Sequence, residues 1–162
     1  MKANSALPSH HDGHFITIEV PENRKFSRIS FDHQVSLEFI NSRHDNCQIK
    51  DISLTGLFVN GFFQQQVGEN CIINLVQKGV SITLSLAALA KVVRKSYDGI
   101  AIKSTAMSFD SYMYLQTSLL YEADEPIVIG LELPNDCPFK IIDLFPTLLN
   151  QSEAHKERFH QI

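Results

Sequence analysis

The 162-residue sequence predicts a mainly β domain. The expected form is a small antiparallel barrel or sandwich of six or so strands, followed by a helix and flanked by an extension at each end. Three observations carry this. Apolar and polar residues alternate with period two over several stretches, as in strands with one face on a core and one in water. Turn signals separate those stretches at regular spacing: Asn60-Gly61, Gly68-Glu69-Asn70, Lys78-Gly79 and Asp98-Gly99. After Ser108 the apolar period becomes helical.

Residues 1–22 read as a flexible extension, 23–124 as the folded domain and 125–162 as a C-terminal extension. The first extension is polar, with Pro8, Gly13 and a cluster of His10, His11 and His14. No carboxylate or Cys spacing beside them suits a closed metal site, so they read as a solvated terminus. Phe15 to Val20 is short and β-prone, an edge strand or an arm that orders on binding, closed by Pro21. From Ile29 the alternation is sustained. Ile29, Phe31, Val35, Leu37 and Phe39 fall on one face, with Ser30, Asp32, Gln34, Ser36 and Glu38 on the other. His33 interrupts the apolar face as a tolerated strand histidine. Asn41 to Asn46 reads as a polar turn.

Further strands are expected at Cys47–Ile52, Gly56–Val59, Cys71–Val76, Val80–Val93 and Ile100–Ile102. In the long one Ile82, Leu84, Leu86, Ala88, Ala90 and Val92 share a face. Closing such strands into a barrel removes exposed edges. Ser108 is a helix N-cap with Asp110 in the first turn, and Phe109, Tyr112, Met113, Leu119 and Leu120 form a packing stripe that covers one end of the barrel. Asp124-Glu125-Pro126 stops that helix. Ile127 to Leu133 reads as a strand, and a last helix is expected from about Thr147.

Composition narrows the function. Apolar content of 44% and charged content of 20% are those of a soluble globular chain. The net charge of −4 argues against a general nucleic-acid binder while leaving room for a local basic site. Cys47, Cys71 and Cys137 are odd in number and scattered, which fits free thiols in a reducing cytoplasm. No signal-peptide pattern or membrane-length apolar run is visible. A catalytic site is not expected: Cys47 has no evident activating His, Ser53 lies in no G-x-S-x-G elbow, and no paired carboxylates or metal ligands stand out.

Against this background Arg24-Lys25-Phe26-Ser27-Arg28 places three cations in one loop just before the first long strand. Planar guanidinium forks match O6 and N7 of guanine, or two phosphate oxygens. One strand later comes Asp51-Ile52-Ser53-Leu54-Thr55-Gly56. A carboxylate accepts from the N1–H and amino group of guanine, Ser53 donates or accepts, and Gly56 permits close backbone approach. Strand alternation points Asp51 and Ser53 the same way. Each motif alone is weak, and the plain alternative is a surface charge cluster beside an ordinary Asp-Ser turn; both in this order, flanking one strand, are far less common.

Arg24-Lys25-Phe26-Ser27-Arg28 followed by Asp51 to Val59 resembles the PilZ domain of bacteria. The resemblance runs from about Arg24 to the helix near Glu122 and includes Tyr97-Asp98-Gly99-Ile100-Ala101-Ile102. It implies a six-stranded antiparallel barrel with a C-terminal helix, and cyclic di-GMP as ligand. It implies that Arg24 and Arg28 grip guanine edges and phosphates, that Asp51 and Ser53 hold a guanine, and that Gly56 keeps that surface open. Asn23 and Lys25 would be secondary contacts. Asn23 stands where many relatives carry a further arginine that favours an intercalated ligand dimer, so the stoichiometry is left open.

The expected role is a cytoplasmic cyclic di-GMP receptor and adaptor for motility, biofilm, surface-polysaccharide or virulence control. Its loop orders on ligand and relays the signal to a partner protein, without other cofactor, nucleic-acid polymer or membrane insertion, and with a homodimer allowed. The alternative is a ligand-independent PilZ-like adaptor for pilus or flagellar machinery. A single-strand-binding barrel ranks below both, since the chain has no Trp to serve as a stacking platform and most Phe positions read as core.

Overall fold

The computed structural model describes residues 25–78 and 83–142. The Phe15–Val20 strand, the histidine cluster and the helix from Thr147 lie outside the described residues. The strands are β1 (Ile29–Ser30), β2 (Gln34–Phe39), β3 (Arg43–Ser53), β4 (Gly56–Asn60), β5 (Asn70–Lys78), β6 (Thr83–Lys95) and β7 (Gly99–Met107), followed by helices α1 (Phe109–Glu122) and α2 (Pro126–Glu132) and a short β8 (Lys140–Ile141). Antiparallel pairing runs β3-β2-β5-β6-β7-β4, and β4 returns to β3, closing a six-stranded barrel. β1 lies beside the far end of β3, on the edge that β2 occupies further along.

The alternation expected from Ile29 is present, but one strand becomes two. Phe31, Val35, Leu37 and Phe39 are all buried. Between them the backbone kinks tightly while still running along β3, with the His33 N–H donating to the Phe31 carbonyl at 2.9 Å. The Ile49 N–H still reaches the His33 carbonyl at 3.0 Å, so the break is a local turn held against β3. The turn that follows is shorter than Asn41–Asn46. β3 already begins at Arg43, and the slack is absorbed as a register shift opposite Val35–Leu37, where Asn46 adopts φ 56°. Asn is among the few residues that tolerate that region.

Every inward position inferred for β6 from Leu86 to Val92 is buried, whereas Leu84 lies beyond the barrel and is 45% exposed. β7 runs on to Met107, well past Ile102. Phe58 points outward from β4 yet is only 4% exposed. The Lys50 ammonium and the Arg94 guanidinium lie 5.3 and 5.6 Å from its ring centroid and cover it.

Ser108 caps α1 as expected, its Oγ accepting the Ser111 N–H at 3.2 Å. The packed face differs from the expected stripe. Tyr112 and Leu119 are buried, but so are Ser111 and Leu115, while Phe109 and Met113 are exposed. The Ser111 hydroxyl accepts the Ala87 N–H of β6 at 3.1 Å, which fixes the rotation of α1. Met113 sits roughly 100° around the helix from Tyr112 and so turns away.

The strand expected over Ile127–Leu133 is corrected: Pro126–Glu132 is helical. Its β-branched residues favour a strand only weakly, and tertiary packing overrides that preference. Pro126 suits the first helical turn, and Ile129 is buried in the core cluster beside α1. Leu133, Cys137 and Phe139 continue against the same core, the Phe139 ring meeting Tyr112 edge-on at 5.4 Å. β8 then pairs in parallel with Ala106–Met107.

Candidate functional site

The candidate site is built on the last residues of β3. Ile52 turns into the core, 3% exposed, which leaves Asp51 and Ser53 on the outer wall. β4 folds back at once, pairing Gly56 with Ser53 on one side and with Lys103 of β7 on the other. A Cβ at Gly56 would overlap the Ile102 carbonyl oxygen, so glycine is what lets β4 lie so close to β7 here. That gives Gly56 a second reason beyond the open surface that the resemblance implies.

A cleft of about 450 Å³ opens over this wall, lined by Lys25, Phe26, Arg28, Ser53, Thr55, Gly56 and Lys103 among others. Its size is that of a small-molecule site. Arg28 Nη1 contacts Asp51 Oδ1 at 3.2 Å, with the two side chains 33% and 24% exposed. Only one guanidinium nitrogen and one carboxylate oxygen meet in that contact. The buried Ser53 hydroxyl donates to the Gly56 carbonyl at 3.2 Å, and its oxygen keeps acceptor capacity. Lys25 stands 5.5 Å from the Phe26 ring centroid.

The structure therefore brings Lys25, Arg28, Ser53 and Gly56 to one cleft and sets Asp51 against Arg28. Arg24 and Asn23 lie outside the described residues. Lys103 lies beyond Ile102, where the sequence pattern ends the last strand, and so is absent from the expected set. Extending that strand's alternation, Ile100 and Ile102 in and Ala101 and Lys103 out, would have found it. Val93 of β6 and Pro138 of the C-terminal extension also line the cleft. The extension further holds the cationic loop: both oxygens of Glu132 accept from Ser27, one from its N–H at 2.7 Å and one from its hydroxyl at 2.6 Å. No local sequence signal joins residues 105 positions apart.

Other polar groups are engaged elsewhere. Burial pushes the Cys71 thiol up to about 12, and burial likewise raises that of Cys47, so both are protonated at neutral pH. The hydroxyl of Ser96, with Lys50 3.7 Å away, holds the Asp98 carboxyl below its ordinary range. Among the described residues no group of three or more His, Cys, Asp or Glu side chains could hold a metal ion. No described helix is long and apolar enough to cross a membrane.

A closed six-stranded antiparallel barrel with a helix across it and a cation-lined cleft on its outer wall defines a small binding module. The PilZ domain family matches residues 22–121, well over half of the chain, and the chain belongs to that family. PilZ domains are in general receptor domains for cyclic di-GMP, working by binding and not by catalysis. Nine solved chains match. One of them, the PilZ domain of CeSA from a cellulose-synthesizing bacterium, is 16% identical, with 66% of this chain and 99% of that chain covered and a TM-score of 0.47. No curated protein matches.

Proposed function

We propose that this chain is a cytoplasmic cyclic di-GMP receptor, with Arg24, Arg28, Asp51, Ser53 and Gly56 as the ligand-binding set and Lys25 and Asn23 as secondary contacts. The observation that carries the reading is the cleft itself, where Arg28, Ser53 and Gly56 converge and Asp51 stands beside Arg28. Family membership supplies the ligand class. Guanine offers O6 and N7 as acceptors and N1–H with its amino group as donors. Arg28 suits the first edge, and Asp51 with the Ser53 oxygen suits the second. The contact between Arg28 and Asp51 is monodentate, so each can turn to the ligand without a buried charge being stranded. The phosphates of the dianion fall to Arg24 and Lys25.

The action is a switch. Ligand charge offsets the mutual repulsion of the cationic stretch and draws Arg24 and the segment before it onto the barrel. A partner protein reads the changed surface. The ligand shifts this balance only by its difference in affinity for the two states. The ligand-independent adaptor has one observation in its favour. Tyr121, Ile127 and Leu131 are 86%, 79% and 83% exposed on the two helices, an apolar surface that needs no nucleotide to be presented.

Thermal unfolding with and without cyclic di-GMP separates the two. At a ligand concentration of about a hundred times Kd, binding to the native state adds about 2.7 kcal/mol, a rise in Tm of about 5–10 °C. GTP at the same concentration leaves Tm unchanged. No shift with cyclic di-GMP favours the adaptor.

A further inference from the structure

We propose that Glu132 is a positioning residue for the ligand loop, and that the extension from Pro126 is thereby a working part of the binding site. The proposal rests on reading the cleft as the cyclic di-GMP site. Ser27 lies within the cationic stretch, directly before Arg28. Its N–H and its hydroxyl both donate to Glu132, at 2.7 and 2.6 Å, one to each carboxylate oxygen. A two-point contact to a charged acceptor fixes orientation as well as distance.

Glu132 is itself held on both sides. Before it, Ile129 is 6% exposed and packed in the core cluster. After it, Leu133, Cys137 and Phe139 pack on the same core, and Lys140–Ile141 pairs with β7. The anchor is therefore part of the folded body, and Pro138 of the same segment reaches the wall of the cleft.

The carboxylate lies beside the cationic stretch, and among the described residues its hydrogen bonds are to the Ser27 N–H and hydroxyl. Arg28 contacts Asp51 instead, and Lys25 faces Phe26, so both cations line the cleft. Two effects of Glu132 oppose each other. Its charge disfavours a dianionic ligand, and its grip removes the ordering of the loop from the cost of binding. The charge acts through solvent at an open cleft and is screened by salt. The grip acts on backbone and hydroxyl at hydrogen-bond distance, so it prevails.

Glu132→Ala and Glu132→Gln, titrated with cyclic di-GMP, test this together with amide hydrogen exchange of the ligand-free proteins. The Ala variant binds about tenfold more weakly. The Gln variant, which keeps the size and one acceptor oxygen, recovers part of the loss. In the free Ala variant the Ser27 amide exchanges about tenfold faster or more, while Leu115 and Leu119 in α1 keep their protection, which shows an intact fold. Ser27→Ala removes only the hydroxyl contact and weakens binding less; combined with Glu132→Ala it adds nothing further. Equal or tighter binding by both Glu132 variants would overturn the proposal, because charge would then outweigh position. An unchanged Ser27 amide overturns it whatever the binding result. If the wild type binds no cyclic di-GMP while the Ser27 amide still speeds up in the variant, the reading of the cleft fails and the clamp stands.

Discussion

Arg28, Asp51, Ser53 and Gly56 each owe their place to a different local cause. Alternation about the buried Ile52 turns Asp51 and Ser53 outward, the guanidinium of Arg28 finds the carboxylate, and Gly56 fits because any side chain there would strike β7. Gly56→Ala should therefore act on the fold as well as on the ligand. The added methyl forces β4 away from the Ile102 carbonyl, and an expected loss of about 1–3 kcal/mol is read from the urea midpoint. An unchanged midpoint would mean that the close approach of β4 and β7 does not constrain this position. Most of these residues were legible in the sequence because they lie in two short motifs and a period-two pattern. Glu132 was not, since its partnership with Ser27 exists only once the chain has folded back over more than a hundred residues.

The strands and α1 follow from patterns that burial enforces. β3 to β6 were each found within a few residues of their ends, because one face of each lies against the core. The errors fall where local preference and packing disagree. Ile127 to Leu131 is rich in β-branched residues, yet Pro126 and the burial of Ile129 make the segment a helix. β8 has two residues and no periodicity to show. Ser111 illustrates a polar residue that holds two elements together: buried and 4% exposed, its hydroxyl accepts the Ala87 N–H beyond the end of β7. Ser111→Ala removes that acceptor, and a destabilisation of about 1–3 kcal/mol is expected in equilibrium denaturation. Ser108→Ala, which removes the cap and the Ser108 hydroxyl's 3.0 Å bond to the Ser111 hydroxyl but leaves the Ala87 contact in place, provides the comparison at about 1 kcal/mol. Should Ser111→Ala cost no more than a few tenths of a kcal/mol, the hydroxyl is not what fixes the rotation of α1.

At the scale of the whole molecule, the closed barrel carries the candidate cleft on its outer wall, and the C-terminal extension runs from α1 past the cationic loop and the cleft to β7. The number and spacing of the strands leave a barrel or a sandwich open, and it is the family resemblance that implies the closed form. The path of the extension was not legible in the sequence, because its contacts are scattered single residues and not a periodic face. The cationic loop and the last residue of α2 thus meet through Ser27 and Glu132, beside the cleft that both Lys25 and Pro138 line. The central claim is that Arg28 and its neighbours bind cyclic di-GMP, and isothermal titration calorimetry of the wild type and Arg28→Ala, with GTP as control, tests it most directly. Loss of charge-assisted hydrogen bonds at about 1.5–3 kcal/mol each predicts saturable wild-type binding, a fall of about ten- to a hundredfold or more in the variant, and no heat with GTP. Wild-type affinity in Arg28→Ala, or no binding by either protein at high ligand concentration, would contradict it.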